Sequence, residues 1–91
     1  MAKVVSFLRR LRRELAAKED RDVTILEVAQ AVGLSRNRLT ALELGQFDRI
    51  SNDELTSLSA YYSPRLGRTI LINNMFEIDP NHRWVSELQL A

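Results

Sequence analysis

The 91-residue chain has no cysteine, one histidine, two prolines and three glycines. Without cysteine there is no disulfide framework and no thiolate metal site, which fits a reducing compartment. With His82 as the sole imidazole, a histidine-based metal centre or a conventional Ser-His-Asp triad has very little to work with. Phosphate-binding loop signatures are also missing, so no catalytic residue, metal or cofactor is assigned and the chain is read as a non-enzyme. Long apolar runs are absent too: no segment approaches the ~18 residues needed to span a bilayer. The opening "MAKVVSFLRR" places its short apolar run before its arginines, the wrong order for a secretory signal. A cytoplasmic protein of bacterial or phage type, with no membrane partner, is expected.

What is present describes an ordinary small globular domain. Hydrophobic residues make up 45% and charged residues 27%, enough apolar surface to fold around one modest core. The formal net charge of +1 conceals an uneven distribution. Between Met1 and Asp22, Lys3, Arg9, Arg10, Arg12, Arg13, Lys18 and Arg21 outnumber Glu14, Glu19, Asp20 and Asp22, and a basic end suits a phosphate-facing surface.

Apolar residues at 4, 8, 11 and 15 predict a first helix over residues 3 to 18. After the polar run "KEDRD", Thr24-Ile25-Leu26-Glu27 reads as a capping box that opens a second helix. Gly33 supplies its left-handed end, and Ser35 caps a third helix from Arg36 to about Leu44. Gly45 ends that helix, and in the loop "QFDRI" Phe47 and Ile50 are expected to fold back as anchors. Ser51-Asn52-Asp53-Glu54 is a second capping box, starting a fourth helix expected to stop at Ser63-Pro64. The segment "RLGRTILINNMFEI" carries both β-branched and helix-spaced apolar residues, with a short helix over 70 to 77 favoured. Residues 1 to 78 are therefore read as one domain and 79 to 91 as a tail, in which Trp84, Val85, Leu88 and Leu90 are candidates for a dimer or partner contact.

Counting Ile25 as one, Val28, Val32, Leu34, Leu39 and Leu42 occupy positions four, eight, ten, fifteen and eighteen, with Ala29 at five and Gly33 at nine. Ala29 must be small for the third helix to cross it, Gly33 makes the turn, and the aliphatics lock the angle. This is the pattern of a helix-turn-helix. With "LRRLR" at 8–12, "TILEVAQAVGLS" at 24–35 and "LTALELG" at 39–45, residues 5 to 62 resemble the Cro/lambda-repressor (Xre) family of DNA-binding domains. The resemblance implies an all-α, compact four- to five-helix lambda-repressor-like domain with a central helix-turn-helix. A packing-only bundle with the same crossing is the structural alternative.

The third helix puts Asn37, Thr40, Ala41 and Leu44 opposite its apolar face, with Arg36 at the edge and no acid among them. Such groups suit base edges: arginine pairs with guanine, asparagine with adenine, and Ala or the Thr methyl with a thymine methyl. In the resembled family the first, second and sixth residues of this helix commonly reach the bases. That implies base contacts from Arg36, Asn37 and Ala41, with Thr40 between them. Phosphate contacts are expected from Arg38, from Gln46 and Arg49 in the loop, and from the amino end of the second helix at Thr24, where free amides favour an anion. Where family members often place a glutamine clamp this chain has Ile25, so the loop residues and some first-helix arginines are expected to replace it. The resemblance also implies an architectural pair between Arg12 and Glu43.

The expected function is sequence-specific regulation of transcription, repressor-like, through double-stranded DNA. The resemblance implies a homodimer on a pseudo-palindromic site, with half-sites roughly 34 Å apart. Ile70, Ile72, Met75 and Phe76 are the apolar residues from which an interface or a fifth-helix cover would be built. The alternative is an antitoxin-type interaction module whose tail grips a partner protein while the same helix pair controls its own promoter.

Overall fold

Leu8, Leu11 and Leu15 form a stripe of inward-facing residues along α1 (Leu8–Glu19), and everything else in the fold packs around that stripe. The computed structural model describes residues 4–78. Within these the order is β1 (Val4–Ser6), α1, α2 (Ile25–Val32), α3 (Arg36–Leu44), α4 (Asn52–Leu66), α5 (Ile72–Met75) and β2 (Phe76–Ile78). The domain is mostly helical, with a small antiparallel sheet added. Its core joins the α1 stripe to Val28 and Ala29 of α2, Leu39 and Leu42 of α3, and Leu58, Tyr61, Tyr62 and Leu66 of α4. Phe47, Ile50 and Leu34 pack against it from the connections. No described helix is long and apolar enough to cross a membrane.

The first helix starts later than its periodicity suggests. Val4, expected on the helical stripe, lies instead in β1, where Val4, Val5 and Ser6 pair with Ile78, Glu77 and Phe76. Two adjacent β-branched valines lose rotamer freedom in a helix and fit an extended pair. The contact with the core survives the change, since Val4 still packs against it.

The fourth helix runs through the proline that was expected to stop it. Pro64 lies within α4, which continues to Leu66 because Leu58, Tyr62 and Leu66, at intervals of four, are all buried. Proline's missing amide orphans only the carbonyl of Ala60, an exposed residue that water can satisfy. Gly67 then terminates the helix at φ 71°, its amide bonded to the Ser63 carbonyl.

The ambiguous segment is divided between both of its tendencies. The expected helix over 70 to 77 shrinks to one turn, α5, followed by β2. Ile70, Met75 and Phe76 are buried in the domain's own core, so they are not an external interface; Ile72 remains 57% exposed, with Leu71 and Ile78 also exposed. The Ser59 hydroxyl donates to the Ile70 carbonyl (2.7 Å), and the Ser63 hydroxyl accepts from the Ile70 amide (2.9 Å), fastening this segment to α4. Phe76 meets Phe47 edge to face at 5.3 Å. The tail residues Trp84, Val85, Leu88 and Leu90 lie outside the described residues.

Candidate nucleic-acid interface

The connection between α2 and α3 is only three residues long, Gly33, Leu34 and Ser35. Gly33, at φ 75°, closes α2 by bonding its amide to the Ala29 carbonyl, and the Leu34 amide reaches the same oxygen at 2.9 Å. Ser35 begins α3, its hydroxyl accepting from the Arg38 amide at 3.0 Å. Ala29 is fully buried, as a crossing point between helices must be. At the head of α2 the Thr24 hydroxyl accepts from the Glu27 amide at 3.1 Å. The reciprocal half of the expected capping box is not made. The Glu27 carboxylate turns to Arg21 instead, with contacts of 2.9 and 2.7 Å, and this cation draws the Glu27 carboxyl below its usual range. At Ser51 both halves form.

α3 buries Leu39, Leu42 and Glu43 and leaves Arg36, Asn37 and Leu44 exposed, with Thr40 and Ala41 at intermediate exposure. Its one carboxylate is therefore turned inward. There Arg12 meets it in a fork, Nε to Oε2 at 2.8 Å and Nη2 to Oε1 at 3.1 Å, while Nη1 donates to the Val23 carbonyl at 3.0 Å. The hydrogen bond to Glu43 holds Arg12 more firmly protonated than a free guanidinium. The expected pair between α1 and α3 is thus present as geometry, and it fixes the roll of α3 against the body. Beside this pair, burial raises the Tyr62 phenol well above its ordinary range, and its hydroxyl has no hydrogen-bond partner among the described residues.

Arg38 has partners within the domain that the sequence reading did not include. Expected among the phosphate contacts, it reaches α4, with Nε to Glu54 Oε2 at 2.6 Å and Nη2 to Oε1 at 3.0 Å. Nη2 also donates to the Arg49 carbonyl at 2.6 Å, and the guanidinium lies 6.0 Å from the centre of the Phe47 ring. Glu54 in turn accepts from the Ser51 amide at 2.9 Å. Arg38 and Ser51 together pull the Glu54 carboxyl down to about 2. The physical reason is proximity: α4's first turn offers a carboxylate already held by its own cap, close to an arginine on the side of α3. Nothing local in the sequence signals a pair sixteen residues apart.

The other expected contacts keep their side chains outward. Gln46 and Arg49 are exposed, and the Gln46 amide bonds the Ala41 carbonyl at 2.9 Å, so the loop leaves α3 in a fixed direction. Thr40 spends its hydroxyl proton on the Arg36 carbonyl at 2.9 Å, which leaves its methyl and an accepting oxygen to offer. Neither Arg36 nor Arg49 engages a carboxylate among the described residues. No group of acidic or imidazole side chains among them is arranged to hold a metal ion.

Comparison with family models, curated proteins and solved structures returns no match. The functional reading accordingly rests on this geometry and on the residues that occupy it.

Proposed function

We propose that the chain is a sequence-specific DNA-binding regulator of transcription that inserts α3 into the major groove, using α2, the Gly33 turn and α3 as a helix-turn-helix of the Cro/lambda-repressor type. The observation that carries this reading is the exposed side of α3. It presents Arg36, Asn37, Thr40 and Ala41, while the helix's one acid is buried against Arg12. An ordinary solvent-facing helix gains from exposed Glu and Lys pairs. A helix lying between two rows of phosphates gains from having no free carboxylate and from small residues that permit close approach.

In this reading Asn37 and Arg36 meet base edges, and Ala41 and the Thr40 methyl meet thymine methyls. Gln46, Arg49 and the amino end of α2 at Thr24 hold phosphates. Arg38 is reassigned from phosphate contact to buttress, since its guanidinium fixes the loop that carries Gln46 and Arg49. Exposed Leu71, Ile72 and Ile78 support a homodimer, which would read a two-fold related site. The protein acts by occupancy of that site, from the cytoplasm.

Selection of bound sequences from random duplex DNA tests this directly. The expected result is one enriched motif with two inverted half-sites. Recovery of unenriched sequence, at an affinity no better than for bulk DNA, would overturn the reading.

A further inference from the structure

A groove of about 310 Å³ runs between the first half of α4 and the segment that leads into α5, with Leu55, Ile70, Leu71, Ile72 and Met75 as its apolar walls. Its hydroxyls are already spent within the domain, Thr56 donating to the Asn52 carbonyl at 2.9 Å and Ser59 to that of Ile70 at 2.7 Å. What the groove offers an occupant is therefore chiefly apolar surface. Leu71 and Ile72 are each more than half exposed, and with Ile78 they make up three of the five large hydrophobic residues exposed among the described residues. Such a concentration marks a surface that something covers.

We infer that the groove is filled by the chain's own tail, with Trp84, Val85 and Leu88 against Leu71 and Ile72, and that the tail thereby competes with a second copy for the same side chains. Reach and sequence carry the first half. β2 starts beside the groove, directly after Met75, and leads three residues away from it, about 10 Å. Asp79 and Pro80 then stand in the order favoured at the first two positions of a type I turn, so the chain that follows is set to return along β2. From Arg83 onward about three extended residues recover the distance, which brings the apolar run of the tail level with the groove. So short a tether gives a roughly millimolar effective concentration, which favours the tail over a free second copy. The second half rests on the homodimer reading, which draws on Leu71 and Ile72 as well. Only a copy whose groove is empty can offer them, so the tail sets the concentration at which the protein pairs.

Trp84 is the chain's one tryptophan, so its fluorescence reports on the tail directly in the full chain. At a concentration too low for pairing, the expected emission is that of a buried indole, moved toward the solvent-exposed wavelength by Ile72→Ser and left in place by Leu26→Ser, a comparably exposed residue on α2. Sedimentation of the full chain carrying Trp84→Ser and Leu88→Ser should show dimers forming at about tenfold lower concentration than in the wild type, because every groove is then empty. Solvent-exposed emission in the wild type, or emission indifferent to Ile72→Ser, overturns the inference. Buried emission that develops only as concentration rises overturns it too, since the tail would then sit on a second copy. So does dimerisation that the tail substitutions leave unchanged or weaken, in which case the homodimer reading stands without a competitor. If neither protein dimerises at any concentration, the homodimer reading falls and the competition with it.

Discussion

Asn37 and Tyr62 show how differently a polar side chain behaves on the two sides of this small domain. Asn37 stands exposed on α3 with nothing of its own to satisfy. Its replacement by alanine should leave the melting temperature near that of the wild type. On the selected site it should cost about 1–3 kcal/mol of binding with little effect on random DNA, because a bidentate base contact discriminates by that amount. Titration of both duplexes checks it, and equal losses on the two would place Asn37 on the backbone rather than on a base. Tyr62 is fully buried, and its hydroxyl has no partner among the described residues. An orphaned buried hydroxyl costs about 1–3 kcal/mol, so Tyr62→Phe, which keeps the ring and removes the oxygen, should raise stability rather than lower it. Thermal unfolding decides this; a lower melting temperature would show that the hydroxyl is satisfied in solution.

At the scale of elements, the glycines that end α2 and α3 look alike in sequence but differ in what surrounds them. Both are left-handed, at φ 75° and 71°. A Cβ built on Gly33 meets nothing within 4 Å, whereas one on Gly45 would lie 2.7 Å from the Val4 carbonyl oxygen. Gly33→Ala should therefore cost only the conformational term, about 1 kcal/mol, and Gly45→Ala should cost distinctly more, since β1 must also move. Denaturant unfolding of the two variants gives the comparison. The capping signals at Thr24, Ser35 and Ser51 and the stripe of α1 are local, and for that reason they were legible: each depends on residues a few positions apart. The two-stranded sheet was not, because three-residue strands separated by the whole domain leave no periodicity behind. The buttress of Arg38 was hidden for the same reason, its partner lying beyond a loop. Arg12 and Glu43 lie further apart still, at thirty-one residues, and only likeness to a known pattern brought them together.

Glu54 couples two elements and makes that coupling dependent on pH. Its carboxyl is lowered to about 2 by Arg38 and Ser51. A lowered folded-state value means that the contribution is fully present above the ordinary carboxylate range and is lost as pH falls from there towards about 2. Over that window the loop bearing Gln46 and Arg49 should loosen from α3. Glu54→Gln at neutral pH mimics the acid state, and because the pair is partly exposed its direct cost should be near 1 kcal/mol. Unfolding curves of wild type and variant should converge as pH approaches 2; a constant offset between them would remove Glu54 as the titrating group.

For the whole molecule, the decisive feature is that the described chain closes on itself. β1 precedes every helix and β2 follows them all, yet Val4 pairs with Ile78 and Ser6 with Phe76. The same strand abuts the end of α3 at Gly45, and the Phe7 amide donates to the Met75 carbonyl at 2.7 Å. The sheet thus connects the two ends of the domain to the helix proposed to read DNA. Removal of residues 1 to 6 deletes β1, leaves β2 without a partner and uncovers part of Phe76, which is 9% exposed when the strand is present. Fully re-exposing a phenylalanine costs about 1.5–3 kcal/mol, so partial exposure together with the lost ladder should lower stability by about 2 kcal/mol. The core of α1, α2 and α4 does not include the strand, so helical content should persist at moderate temperature. The affinity for the selected duplex should fall as well, because the end of α3 loses the contact that sets its position. Far-UV circular dichroism with a thermal ramp, alongside titration of the selected duplex, separates these effects. A truncated chain with unchanged melting temperature and unchanged binding would mean that the sheet is an ornament of the fold rather than its clasp.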